Sequence, residues 1–258
     1  MTTHHTPDEL RVRLRMTAGR CEIETAETDR TQVDVEPLDD SPASRAAAEE
    51  LVESLRDRRG GKELVIEIPS SKLLRPFRGD AAMLVRIRAP HGMHLDARTV
   101  SAGIAAAGRL GDVDVHTVSG GREADAVDGR ATLKTTSGGM RIGTLTGPGT
   151  VNTVSGDIRI DAPEGESLTV RTVSGAVRVA RAQRGRLDVR NVSGAIEVAV
   201  APGATLWVDA SSASGEVVSD LPVTDTAPAG GADLELRAAS ASGRITLTRA
   251  ESETRAAV

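Results

Sequence analysis

Residues 169–179, TVRTVSGAVRV, decide how the chain is read. Val170, Thr172 and Val173 lead into a Ser174-Gly175 pair, after which Val177 and Val179 alternate with Ala176 and Arg178. Two short alternating runs on either side of a Ser-Gly pair describe a strand, a corner and a second strand. The phrase recurs as TVNTVSGDIRI at 150–160 and as LDVRNVSGAIEV at 187–198. Ser-Gly pairs stand at Ser119-Gly120, Ser137-Gly138, Ser155-Gly156, Ser174-Gly175, Ser193-Gly194, Ser214-Gly215 and Ser242-Gly243, with serine steps of 18, 18, 19, 19, 21 and 28 residues. Ser101, in TVSAGI, is a degenerate copy 18 residues before Ser119.

Aligning these eight units on the serine gives columns. Three positions after it come Ile104, Arg122, Met140, Ile158, Val177, Ile196, Val217 and Ile245; five after it come Ala106, Ala124, Ile142, Ile160, Val179, Val198, Ser219 and Leu247. Four before it come Ala97, Val115, Leu133, Val151, Val170, Val189, Ala210 and Ala238, and one before it Val100, Val118, Thr136, Val154, Val173, Val192, Ala213 and Ala241. These mostly aliphatic columns, separated by polar ones, are the expected core of half-buried strands. A polar column two before the serine, from Thr99 and Thr117 to Asn191, Ser212 and Ser240, forms a second ladder beside the serines. Glycine at the corner permits positive φ or a tight turn where a Cβ would clash, and the serine can bond to nearby backbone.

Repeats of this length with two strands each predict a β-solenoid. A left-handed hexapeptide helix does not fit, because the aliphatic columns do not recur every six residues. The composition agrees: one Phe, one Trp and no Tyr leave a core of small aliphatic side chains, which stacked layers can fill. Net charge is −5 with acids and bases mixed, so no nucleic-acid footprint is expected. Aromatic platforms for single strands are also missing. A lone cysteine, Cys21, excludes an internal disulfide framework. No apolar run approaches the ~20 residues of a transmembrane helix. The start, MTTHHTPDEL, has neither a basic nor an apolar leader region, so the expected location is the cytoplasm.

Residues 1–9 are expected to be flexible, as is the tail 250–258, and 91–249 hold the repeats. Between them, 10–90 read as an N-terminal cap. LRVRLRM, RCEIET and TQVDVEP alternate like strands, and a helix is predicted over about 42–59, N-capped by Ser41 with Pro42 following and ended by Gly60-Gly61. Ala47, Leu51, Val52 and Leu55 would give that helix an apolar stripe to cover the open end of the solenoid.

The recurring V-x-[TN]-V-S-G-x-[IV]-x-[IV], with Pro148-Gly149, Pro163-Glu164-Gly165 and Pro202-Gly203 loops, resembles the bacterial putative-adhesin family of β-strand repeats. This is a domain of unknown function also called Toastrack. The resemblance runs from about Leu10 to Leu247. It implies a single-stranded β-solenoid of about eight 18–21-residue units, an association with membrane-stress sensing systems, and no catalytic residues to carry over.

Candidate chemistry is sparse. His91 and His94 have an H-x-x-H spacing that could supply two metal ligands, with a solvated turn as the plainer reading. Arg171 and Arg190, three before their serines, and Arg141, Arg159 and Arg178, four after theirs, would stack into positive stripes that suit an anionic partner or form a solvated face. Eight similar serines argue for structure rather than for a nucleophile. Cys21 reads as a buried structural thiol, and Trp207 as an outward contact anchor or a residue under the insertion near Pro222. The expected function is a non-catalytic scaffold or protein-interaction module without cofactors. Its partner would be a protein, with a membrane-associated regulator as one class. The alternatives are self-assembly through the C-terminal unit around Ile245 and Leu247, and a polysaccharide-acting enzyme.

Overall fold

The computed structural model describes residues 2–5, 10–39, 44, 45, 48, 49, 51, 63–68, 82–221 and 232–250. Nearly all of these lie in nineteen strands. Of the predicted helix, Ser44, Arg45, Ala48, Glu49 and Leu51 are helical, with Ser44, Ala48 and Leu51 buried; the rest of it, and any capping role, lies outside the described residues. So does the tail beyond residue 250. The described contacts cluster into two compact units, residues 1–140 and 141–258.

The first unit contains β1 (Thr2–His5), β2 (Arg11–Ala26), β3 (Arg30–Pro37), β4 (Glu63–Glu67), β5 (Ala82–Pro90), β6 (Met93–Ser119), β7 (Arg122–Val127) and β8 (Ala131–Ser137). Residues 10–26 were expected in a separate cap, but β2 is a full coil of the solenoid. Its first half pairs in parallel with β4 and β6, its second half with β5 and β6, and Ala18 stands level with Ser101. Ala18-Gly19 is therefore one more corner, with Gly19 at φ 120°. The coil made by β4 and β5 lies outside β2 although it follows β2 in sequence. Its β5 edge is covered by β3, and β3 by β1, both antiparallel. The N-terminal segment expected to be flexible thus includes a paired strand, because β3 presents an edge of backbone groups that need partners.

In the second unit the strands are β9 (Met140–Leu145, whose first residue belongs to the first unit), β10 (Gly149–Ser155), β11 (Ile158–Pro163), β12 (Ser167–Ser174), β13 (Val177–Ala182), β14 (Gly185–Ser193), β15 (Ile196–Val200), β16 (Leu206–Ser212), β17 (Val217–Ser219), β18 (Leu234–Ser242) and β19 (Ile245–Arg249). β10, β12 and β14 pair in parallel with serine level with serine, and β11, β13 and β15 do the same with their aliphatic residues.

The last coils are out of order. β14 pairs with β18 and β15 with β19, while β16 and β17 pair with the far sides of β18 and β19. The final coil in sequence is inserted between its two predecessors. Ile245 and Leu247, expected at an open C-terminal end, are fully buried. The physical reason lies in the columns. Residues 234–249 offer Leu234, Leu236, Ile245 and Leu247 to the interior, whereas the earlier coil has Ser219 where its neighbours carry Val, Ile or Leu. The more apolar coil takes the position covered on both sides.

Candidate interaction surface

Each Ser-Gly corner is built around close backbone approach. In the first unit a Cβ on Gly120 would lie 2.5 Å from the Ala102 carbonyl oxygen, and one on Gly138 would overlap that of Gly120. In the second unit the same overlap falls between Gly175 and Gly156, Gly194 and Gly175, Gly243 and Gly194, and Gly215 and Gly243. Gly120, Gly138, Gly156, Gly175 and Gly194 have positive φ, whereas Gly215 and Gly243 do not. Contact, more than dihedral freedom, therefore unites the corners.

The serines serve the backbone too. Ser119 Oγ donates to Val100 O and Ser137 Oγ to Val118 O, both at 3.4 Å; Ser214 Oγ donates to Ala241 O at 3.1 Å and Ser242 Oγ to Val192 O at 3.3 Å. Ser155, Ser174 and Ser193 align as neighbours down parallel strands.

The two columns before the serine have exchanged their expected roles. Thr99, Thr117 and Thr135 in the first unit, and Thr153, Thr172, Asn191 and Ser240 in the second, point inward and are buried. Five of them donate to a corner carbonyl, whereas Thr99 Oγ1 and Ser240 Oγ have no hydrogen-bond partner among the described residues. Thr117 Oγ1 donates to Ser119 O at 3.0 Å, Thr135 to Ser137 at 2.9 Å, and Thr153 and Thr172 to Ser155 and Ser174, each at 3.2 Å. Asn191 Nδ2 does the equivalent to Gly194 O at 2.8 Å. With this column turned in, strand alternation turns the next one out. Val100 and Val118 in the first unit are 47% and 49% exposed, and Val154, Val173 and Val192 in the second are 49%, 48% and 50% exposed. These valines, expected in the core, form an apolar ridge in each unit. The hydrophobic pattern alone missed it, because valine is common on both faces of a sheet.

The arginine stripe is largely neutralised. Arg141 and Arg159 share Asp161 at 3.1 and 2.6 Å, Arg178 meets Glu197 at 2.7 Å, and Arg190 meets Asp188 at 2.9 Å. Arg171, level with Asn152 and Arg190, has no ion pair among the described residues. His91 and His94 take separate partners: His91 Nδ1 lies 3.0 Å from Thr25 Oγ1, and His94 Nδ1 accepts the Asp112 amide at 2.9 Å. No metal-binding cluster of three such side chains occurs among the described residues. An open groove of about 750 Å³ on the first unit runs over Ala105 and Ala107, but its Glu22 and Glu24 are tied to Arg86 and Arg88 at 3.3 and 3.0 Å. Cys21 is buried, and that burial together with Glu22 raises its thiol pKa to about 12.

One interior residue breaks the pattern. Arg122 occupies the aliphatic column between Ile104 and Met140, and is only 7% exposed. Its Nη2 donates to Thr117 Oγ1 at 2.9 Å, while Nε and Nη1 have no partner among the described residues. Burial pushes its pKa down to about 10.

In the outer coil, Trp207 points outward as the alternation predicts, with the Arg237 guanidinium 5.4 Å from its ring centre. Val208 and Val217, which face the interior side, remain 38% and 41% exposed.

No curated protein matches this chain. Two crystal structures align along most of this chain, and the first shares its fold. A putative adhesin from Bacteroides fragilis aligns over 95% of each chain at 11% identity with a TM-score of 0.55. A putative cell adhesion protein from Clostridium sporogenes aligns over 95% of this chain and 93% of its own, at 12% identity and a TM-score of 0.26. The family match is direct: residues 58–251, well over half of the sequence, fit Toastrack DUF4097, and the chain belongs to that all-β solenoid family.

Proposed function

We propose that this chain is a non-catalytic interaction module whose docking face is the valine ridge. The observation that carries the reading is the row Val154, Val173 and Val192, each about half exposed and set on successive parallel strands. Strands repeat every ~4.8 Å, so the three side chains form a contiguous apolar strip rather than scattered surface residues. Arg171, without an ion pair among the described residues, runs beside it on β12, level with the Asp188-held Arg190 on β14. A protein with an apolar strip and an acidic margin would complement this face. The Bacteroides protein of the same fold is named for adhesion, which favours protein or surface contact over catalysis. The corner hydroxyls also favour a structural role, since four of the serines donate to neighbouring backbone carbonyls. Within this reading the chain works in the cytoplasm, and a membrane-associated regulator is the partner class that the family resemblance favours.

The test is a cross-linking pull-down of tagged protein from soluble and membrane fractions, with Val154, Val173 and Val192 replaced together by threonine. Threonine keeps the β-branched shape and the strand preference. The variant is expected to lose its partner without a fall in Tm. Unchanged recovery of the same partner would remove the ridge from the function.

A further inference from the structure

The outer coil of the second unit has an open strand edge among the described residues. β16 and β17 each pair on one side, with β18 and β19, and with no other strand on the opposite side among the described residues. Their interior-facing side chains continue columns that are sealed one coil further in. Leu206, Val208 and Val217 stand level with Leu234, Leu236 and Ile245, and those three are 1%, 0% and 0% exposed. An open strand edge beside unfinished apolar columns is a template for one more strand.

The outward charges say what that strand carries. Across β14, β18 and β16, one row reads Asp188, Arg237, Asp209. The row beside it reads Arg186, Glu235, Trp207, with Arg186 and Glu235 joined at 2.9 Å and Arg237 and Glu235 at 2.8 Å. Opposite charges thus alternate from strand to strand, and the alternation stops at Asp209, exposed and without an ion pair among the described residues. The next residue in that row should be a cation. Residues 205–221 contain Asp209, Glu216 and Asp220 but no Lys or Arg, so a second copy of this coil would bring no cation to Asp209.

We propose that β16 binds an extended segment of a partner protein by strand addition, with aliphatic residues over Leu206 and Val208 and a Lys or Arg opposite Asp209. This surface is distinct from the valine ridge, so either can fail alone.

The probe is a synthetic peptide, LELRAASAS, which copies β18, the strand already seen against β16 with Arg237 level with Asp209. Hydrogen exchange on the full chain should show new protection of the β16 amides as peptide is added. The peptide LELEAASAS should bind at least about tenfold more weakly, and Asp209→Arg should reverse that preference. Asp209 is exposed, so this variant is expected to fold, and an unchanged Tm checks it. Absence of β16 protection at millimolar peptide would overturn the proposal, as would equal binding of the two peptides. Sedimentation showing a dimer that Val208→Asp dissolves would also overturn it, because a second copy would then be the occupant.

Discussion

β5 and β16 are both the outermost parallel strands of their units, and they are treated differently. β5 is followed by antiparallel β3 and β1, so Val85 and Ile87 are buried. β16 has no such cover among the described residues, and Val208 stays exposed at the equivalent depth. The interiors differ in the opposite sense. The first unit closes its edge but holds the Arg122 charge among Ile104 and Met140, whereas the second stacks Ile158, Val177, Ile196 and Ile245 at that position. Edge closure and interior purity are therefore separable in this repeat. A coil can sit in register by backbone pairing alone, and its side chains decide whether it ends inside or outside.

That contrast predicts its largest effect within two neighbouring coils. Leu236 and Val208 are level in register, yet one is sealed and the other open. Leu236→Ala should destabilise the protein by about 2–5 kcal/mol, through lost burial and a cavity that rigid neighbours cannot fill. Val208→Ala should cost less than about 1 kcal/mol, because much of the side chain already faces water. Urea denaturation of both variants measures this. Equal losses would mean that β16 is covered after all.

The interior of the first unit gives the second prediction, of opposite sign. Well-packed apolar replacements of buried charged groups range from neutral to stabilising by up to about 4 kcal/mol. Arg122→Met should therefore raise stability, because the new thioether side chain would match Met140 on the next coil. The sign with pH follows from the lowered pKa. The folded protein disfavours the charged guanidinium, so the penalty is in full force below about 10 and is relieved as pH rises above that value. At neutral pH the gain in Tm should be fully visible. A fall in Tm would assign Arg122 a structural bond that outweighs its desolvation.

Much of this is legible in the sequence. The serine spacing identified coils, and the TVSG corners aligned serine with serine, as β12 and β14 do at Ser174 and Ser193. Two things were not legible, for different reasons. Facing of the Thr and Val columns goes with side-chain bonds to corner carbonyls, as at Thr117, Thr135, Thr153 and Thr172, which no hydropathy pattern encodes. The coil order depends on a competition between segments: the 28-residue step to Ser242 marks an insertion without saying that the chain doubles back. Ser219, in a column of Ile, Val and Leu, was the available sign that its coil is the outer one. Ala18-Gly19 in β2 lacked the serine and so escaped the repeat.

A smaller effect tests the corner itself. Thr172 Oγ1 and the Gly156 amide both donate to Ser174 O. Thr172→Val keeps the shape and removes one donor of two, so it should cost about 0.5–1.5 kcal/mol. Ser212→Ala in the outer coil removes two bonds, one to Gly243 O at 2.9 Å and one from the Gly215 amide at 3.0 Å, but the exposed Gly215 amide can turn to solvent, so it should still cost less. Denaturant midpoints that reverse this order would show that the outer corner is the better shielded one.

The smallest effect concerns how the outer coil is held. Thr205 precedes β16 and Asp233 precedes β18; the Thr205 amide donates to Asp233 Oδ2 at 2.9 Å, and the Thr205 hydroxyl also reaches that oxygen. These bonds, the hydroxyl first, lower the Asp233 pKa below the ordinary carboxylate value. A depressed carboxylate contributes stability above its unfolded pKa and loses it as pH falls through the folded one. Asp233 is fully exposed, so global unfolding is a poor reporter and local exchange a better one. The Thr205 amide should be protected at neutral pH, and that protection should fall as pH drops below the ordinary carboxylate range, once exchange is corrected for its intrinsic pH dependence. Asp233→Asn should lower protection at neutral pH and remove the pH dependence. If the wild-type amide keeps its protection through the acid range, the carboxylate is not what fastens the outer coil, and backbone pairing from Leu206 onward must hold it alone.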